Sequence, residues 1–343
     1  MVIVKDTTRG ADAVQSDAVA RASALWIVAP GRGELRSEPV LAPGEGEALV
    51  RTLWTGVSRG TETIVARGEV PASEHERMRA PFQDGDFPFP VKYGYLNVGV
   101  VEAGPAALRG RTVFSLFPHQ SRFRIPAPAL VPVPEAVPPR RAVLAGAVET
   151  ALNVLWDAAP RLGDRIVVIG AGLIGSAIAT LVRGIPGADV ALVDVDPAKA
   201  EIARELGVRF APAGTATGPA DVVIEASGTG AGLQLALRAA ATDGEVIVAS
   251  WYGSAPVPLD LGADFHSRRI TVRSSQVGAV AVARRSARTT RDRLAIALGL
   301  LADPAFDLLL GATSPWTRLP DVTTALAAGT AGPFCHTIDW SDA

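Results

Sequence analysis

The sequence predicts an α/β protein in which a doubly wound parallel sheet is inserted into a β-rich domain. Three observations carry this. Short strand-like pieces broken by Pro and Gly fill residues 24–140. From about residue 141, continuous apolar strands alternate with helical stretches, the pattern of a parallel sheet covered on both faces. Beyond about 285 the alternation stops, and the chain closes on a strand-like "FCHTIDW". The expected divisions are therefore 1–140, 141–284 and 285–343, the last returning to the β-rich domain.

In order along the chain, "EALVRTLWTGVS" and "VGVVEAG" have strand composition, and the prolines and glycines between them exclude long helices. "RIPAPALVPVPEAVPP" is a boundary strap. "RRAVLAGAVETALNVLWDAA" then has helical apolar spacing. Strands "RIVVIG", "DVALVD", "ADVVIEA", "EVIVAS" and "ITVRSSQ" follow, separated by helices "LIGSAIATLVRG", "PAKAEIARELG" and "GAGLQLALRAAATDG". Asp196 precedes Pro197 and reads as a helix N-cap. "TRDRLAIALGLLAD" is a helix of the last part.

A chain of 343 residues suits two domains. Its 48% hydrophobic and 20% charged residues are those of an ordinary globular protein. A formal net charge of −2 gives no electrostatic reason to expect nucleic acid or an anionic membrane. Cys335 is the one cysteine, so no intrachain disulfide can form. No uncharged apolar run approaches the roughly 18 residues of a membrane span. The first residues carry Lys5, Asp6 and Arg9 rather than the apolar block of a secretory signal. A cytoplasmic location is expected.

Gly170, Gly172 and Gly175 form G-x-G-x-x-G directly after "RIVVI", with Leu173 and Ile174 between the second and third glycines. The first glycine permits a tight turn, the second lets a pyrophosphate approach, and the third lets helix and strand pack closely. Free N–H groups at the helix start would face the phosphates. Asp194 stands 19 residues beyond Gly175, the separation expected of a carboxylate that takes the adenosine ribose hydroxyls. That carboxylate would repel a 2′-phosphate, so NAD(H) is the expected cofactor. Ser227, Ser250 and Gln276 end later strands, where an open α/β sheet places its ligand.

The chain resembles the medium-chain dehydrogenase/reductase superfamily, through "GVSRGTETIVARGE", "KYGYLNVGVVEAG", "VETALNVLW", the glycine cradle and "VIEASG". The resemblance implies a GroES-like catalytic domain around a Rossmann dinucleotide domain, and a homodimer. In zinc-dependent members the first motif reads roughly G-x-C-G-T-D and the second G-H-E. Here the cysteine position holds Arg59, or Ser58 if a gap is allowed; Tyr95 stands for the histidine and Leu96 for the glutamate. The third ligand position falls near Gly146, one cysteine cannot form a structural-zinc lobe, and the four histidines have no ligand spacing. The reading is a zinc-free member with no metal site.

Without a metal, the reacting oxygen needs hydrogen-bond donors and a proton relay. By resemblance Tyr95 and Thr61 lie beside that oxygen, with Lys92 nearby in the chain and able to lower the tyrosine pKa. His119, in "FPHQSRFRIP", either joins the relay or lies in a surface loop. Glu149, in an apolar setting, needs a partner or an elevated pKa. The resemblance brings Thr150 toward the nicotinamide and Lys199 toward the ribose. Trp251 and Tyr252 either wall the pocket or pack in the core, and residues 69–90 form either a substrate lid or a plain surface loop. Arg59, Lys92, Arg122 and Arg124 would together favour an anionic or strongly polar substrate.

The expected activity is hydride exchange between NAD(H) and a small-molecule secondary alcohol or ketone, without zinc, in a specialised metabolic pathway. The alternatives are reduction of an activated C=C bond, as in quinone and enoyl reductases, and a non-catalytic NAD(H)-binding sensor or scaffold.

Overall fold

The computed structural model describes residues 18–215 and 218–343. The first strands are β1 (Ala18–Ala29), β2 (Arg32–Leu41) and β3 (Glu47–Val57). β1 and β2 form an antiparallel hairpin that turns at Ala29↔Arg32. Helix α1 (Arg59–Arg67) leaves β3 almost at once, with Ser58 at its N-cap. It stops at Gly68, whose φ of 71° is left-handed and open to glycine. Short β4 (Asp84–Gly85) and β5 (Val91–Lys92) precede β6 (Asn97–Ala103), β7 (Thr112–Ser115), β8 (Arg122–Pro126) and β9 (Val131–Pro132).

Helices α2 (Pro139–Ala142) and α3 (Ala145–Ala158) then lead into mostly alternating strands and helices. These are β10 (Arg165–Ile169), α4 (Leu173–Val182), β11 (Asp189–Asp194), α5 (Ala200–Leu206), β12 (Arg209–Pro212), β13 (Val222–Glu225), α6 (Gly230–Ala239), β14 (Glu245–Val248) and β15 (Thr271–Ser274). The chain finishes with α7 (Thr290–Leu300), β16 (Leu310–Pro315), α8 (Leu319–Ala328) and β17 (Cys335–Asp339).

The six alternating strands form one parallel sheet in the order β12-β11-β10-β13-β14-β15. Strand order reverses between β10 and β13, so connections leave toward opposite faces and open a crevice at their carboxyl ends. β16 and β17 rejoin β3, β6, β7 and β9 in the larger sheet of the β-rich domain, which makes the parallel sheet an insertion, as expected. Helix α3 sits between. Val148, Ala151 and Val154 share a continuous apolar core with Leu96 and Val98 on one side and Ile166, Val168 and Ile178 on the other. No helix among the described residues is long and apolar enough to cross a membrane.

Candidate active site

At the end of β10 the chain must turn where there is no room for side chains. Gly170 has φ +100°, and a Cβ there would come within 2.6 Å of the Ser227 nitrogen. A Cβ on Gly175 would lie 1.8 Å from the Gly170 carbonyl oxygen, so the third glycine lets α4 sit on its own turn. Gly172 instead faces open space. It is the N-cap of α4 and brings no side-chain acceptor, so the first-turn N–H groups of Leu173 and Ile174 are left for a ligand. Asp194 ends β11 beside them. Its carboxylate accepts from the Ala171 N–H at 2.7 Å and from the Asp196 N–H at 3.0 Å. A cradle of this shape and polarity fits a dinucleotide.

Asp196 caps the turn that follows, accepting from the Ala198 N–H at 2.9 Å. Lys199 lies in a cleft of about 360 Å³ with Ile202, Leu308 and Phe334, its Nζ 4.5 Å from the Phe334 ring centre. Burial lowers the Lys199 pKa, Asp194 and Asp196 oppose that, and Arg59 adds to it by repulsion.

The strand-end residues Ser227, Ser250 and Gln276 act mostly as turn builders. Ser227 spends its hydroxyl and N–H on the buried Glu225 carboxylate, at 2.5 and 2.6 Å. Glu225 also accepts from the Tyr252 hydroxyl at 2.8 Å and the Gly228 N–H at 3.1 Å. Ser250 Oγ accepts from the Gly228 N–H, and Gln276 Oε1 from the Gly278 N–H. Thr150 returns its hydroxyl to the Gly146 carbonyl of its own helix at 2.9 Å. Tyr252 is thus a bonded partner of Glu225, while Trp251 packs against the Tyr93 cluster.

Of the positions that the resemblance aligns with metal ligands, Tyr95, Gly146 and the gapped choice Ser58 lie near one another. The Tyr95 phenol lies beside the Ser58 and Thr61 side chains, which favour its ionised form. A Cβ on Gly146 would sit 3.9 Å from Tyr95 Cδ2. An alcohol, a phenol and a bare Cα are a poor donor set for zinc, which takes thiolate, imidazole or carboxylate. Among the described residues no three or more His, Cys, Asp or Glu stand close enough to hold a metal.

Three expectations about this region need correcting, and a fourth, the partner for Glu149, is met. Tyr95 is not poised for easy ionisation: burial first, and then the Glu62 charge, push its phenol up to about 12, against the Ser58 and Thr61 side chains. Lys92 takes no part. It is buried, with Nζ 2.7 Å from Glu38 and 3.4 Å from Asp84, and it neither touches Tyr95 nor lies free in solvent. His119 is not on the surface but 1% exposed, bonded to Thr55 Oγ1 at 2.8 Å and to Glu62 Oε2 at 3.0 Å. Glu149 has its partner in Arg293, 3.0 Å away, which also holds Asn153 at 2.6 Å and the Ala279 carbonyl at 3.1 Å.

The proposed cationic patch also dissolves. Arg122 pairs with Glu102 at 2.7 Å and Arg124 with Glu47 at 3.3 Å. Arg59, the remaining member, is exposed. Residues 69–90 are anchored by aromatic packing, Phe82 on Phe117 and Phe87 on Tyr93. Sequence reasoning missed two buried carboxylates, Glu62 and Glu225. Each closes a motif already noted, "GTE" and "VIE", and an acid at the end of an apolar strand was the available signal for the second.

A family model described as zinc-binding dehydrogenase matches residues 172–295. D-guloside 3-dehydrogenases of Shigella flexneri and Escherichia coli K12 are 28% identical over 251 residues, spanning 64% of this chain and 71% of theirs. Acetophenone reductase from Geotrichum candidum, solved with NAD, superposes with a TM-score of 0.75 at 18% identity, over 94% of this chain and 98% of that one. A protein of Sinorhizobium meliloti 1021 described as a zinc-binding dehydrogenase, solved with NADP, gives 0.74 at 18% identity, over 93% and 99%. The fold is that of the medium-chain dehydrogenases.

Proposed function

We propose that this oxidoreductase of the medium-chain dehydrogenase fold works without zinc, uses NAD(H), and interconverts a secondary alcohol and its ketone. One observation carries the reading: Ser58, Tyr95 and Gly146 converge where zinc-type relatives would hold their metal, leaving hydroxyls where ligands would be. When bound, the nicotinamide supplies or accepts the hydride. Gly170, Gly172 and the start of α4 would hold its pyrophosphate, and Asp194 the adenosine ribose. Tyr95 then donates a hydrogen bond to the substrate oxygen. Because the phenol stays protonated up to about 12, it acts as the donor to a carbonyl or forming alkoxide, with the Ser58 and Thr61 hydroxyls orienting it.

Relatives named for D-guloside and acetophenone support a secondary alcohol or ketone as the first class to assay. A homodimer joined along the free outer edge of β15, where Val272 is exposed, belongs to the same proposal and is checked by light scattering. The central test joins elemental analysis to cofactor titration. Zinc should be far below one per chain, and activity should survive chelation. NADH should bind more tightly than NADPH, and Asp194→Ala should cost about 1.5–3 kcal/mol of NADH binding. One tightly held zinc lost together with activity, or a preference for NADPH, would overturn the reading.

A further inference from the structure

Behind the hydroxyl cluster runs a buried file of hydrogen bonds that joins the end of the chain to the start of α1. Trp340, 1% exposed, donates its indole N–H to Thr55 Oγ1 at 3.0 Å. Thr55 Oγ1 lies 2.8 Å from His119 Nδ1, and His119 Nε2 lies 3.0 Å from Glu62 Oε2. The other Glu62 oxygen accepts the Ser58 N–H at 2.7 Å. An indole can only donate and an ionised carboxylate can only accept. In the neutral imidazole, Nε2 must therefore carry the hydrogen it gives to Glu62, and Nδ1 accepts from the Thr55 hydroxyl. The file points one way, toward Glu62.

His119 is the knot of this file. Its ring binds β3 through Thr55 and α1 through Glu62. Its N–H donates to the Tyr93 carbonyl at 3.2 Å, tying in the turn that carries Tyr95. Gly94, between the two tyrosines, has φ +116°, and a Cβ there would come within 2.7 Å of the His119 ring. Backbone and imidazole are thus in direct contact one residue from Tyr95. A surface N-terminal glutamate would be wet and free to move. Glu62 is 5% exposed, and a buried carboxylate is tolerated only when its lone pairs are met by donors.

We propose that Thr55, His119 and Glu62 form a positioning device that holds Ser58 and Thr61 of α1 in register with Tyr95 and fixes a negative charge behind its ring. This rests on the reading of Tyr95 as the donor to the reacting oxygen. The groups facing Glu62 are His119 and the Ser58 N–H, Tyr93 and Tyr95 from the turn, and Cys335 from β17. All three of those acids are pushed upward in part by its charge. Tyr95 is consequently held as a neutral donor, in one orientation.

Two measurements test this on the whole protein. The chain has three tyrosines, so subtracting the alkaline phenolate absorbance of Tyr95→Phe isolates the Tyr95 titration without any substrate. Glu62→Gln keeps the shape and removes the charge, and should move that midpoint downward. The second measurement compares Thr55→Val, which loses only the hydroxyl, with Thr55→Ser, which keeps it. Thr55→Val should leave NADH affinity unchanged and cut turnover roughly ten- to a hundredfold, the scale on which misplacing a reacting group is felt. Thr55→Ser should restore turnover toward the parent value.

An unmoved midpoint in Glu62→Gln, parental turnover in Thr55→Val, or equal losses in both threonine variants would overturn the proposal. Should Glu62→Gln not fold, the threonine pair decides. If the unmutated protein reduces no ketone and oxidises no alcohol, the proposed activity fails instead, and the phenolate titration still judges the device.

Discussion

Lys92 shows at the level of a single residue how sequence proximity can mislead. It stands three positions before Tyr95, close enough in the chain to suggest a cationic neighbour for the phenol. Lys92 ends β5, however, and it is Tyr93, just beyond the strand, that lies toward Tyr95, with ring centres 6.0 Å apart. Lys92 is sent the other way, to Glu38, Asp84 and the Trp26 ring. Lys92→Met should therefore leave the Tyr95 phenolate midpoint unmoved. It should cost about 1.5–3 kcal/mol of stability in urea unfolding, the worth of hydrogen bonds to a charged group. A shifted midpoint would restore Lys92 to the site. Asp194 is the opposite case. Its place followed from spacing alone, because the length of one strand–helix–strand unit sets how far the second strand's end lies from the first.

Among the elements, α3 and α7 share one apolar core and are joined by a buried ion pair. Their apolar spacing was readable, and both helices form where expected. That Arg293 would point inward from α7 was not readable, since an arginine in a helix normally faces water. It is 1% exposed, and it binds Glu149 and Asn153 of α3 and the carbonyl of Ala279 in the segment after β15. Burial raises the Glu149 pKa and Arg293 opposes that. Arg293→Met removes the opposing charge and leaves a buried carboxylate alone. The expected loss is about 3–5 kcal/mol, measured by urea unfolding, with Glu149→Gln in the same chain recovering part of it. A loss no larger than that of a surface arginine would show that the pair is not holding the helices.

For the whole molecule, the buried acids give stability a definite direction with pH. Tyr95 is raised from 10.0 to about 12 and Cys335 from 9.0 to about 12, both chiefly by burial. Tyr93 and Tyr252 are raised as well, again chiefly by burial. A folded pKa above the unfolded one contributes stability that is complete below the unfolded value and lost as pH climbs toward the folded one. The thermal midpoint should thus hold through neutral pH and fall from about pH 9 upward. Tyr95→Phe, which has no phenol to ionise, should make that fall shallower. A midpoint flat across the alkaline range would mean that these groups reach water in the folded state.

The sequence by itself determined the parallel sheet, its insertion into a β-rich domain, the glycine cradle and the place of Asp194. These depend on local rules: hydrophobic period, turn residues, and the fixed length of a strand–helix–strand unit. Only the tertiary structure decided what surrounds Tyr95. Thr55 and Glu62, His119, and Trp340 come from three separated stretches of chain, and no period or spacing links the three. A buried polar group must find partners wherever the packed chain supplies them, so the direction of each hydrogen bond, and the upward rather than downward shift of the phenol, emerged only once the elements had closed around it.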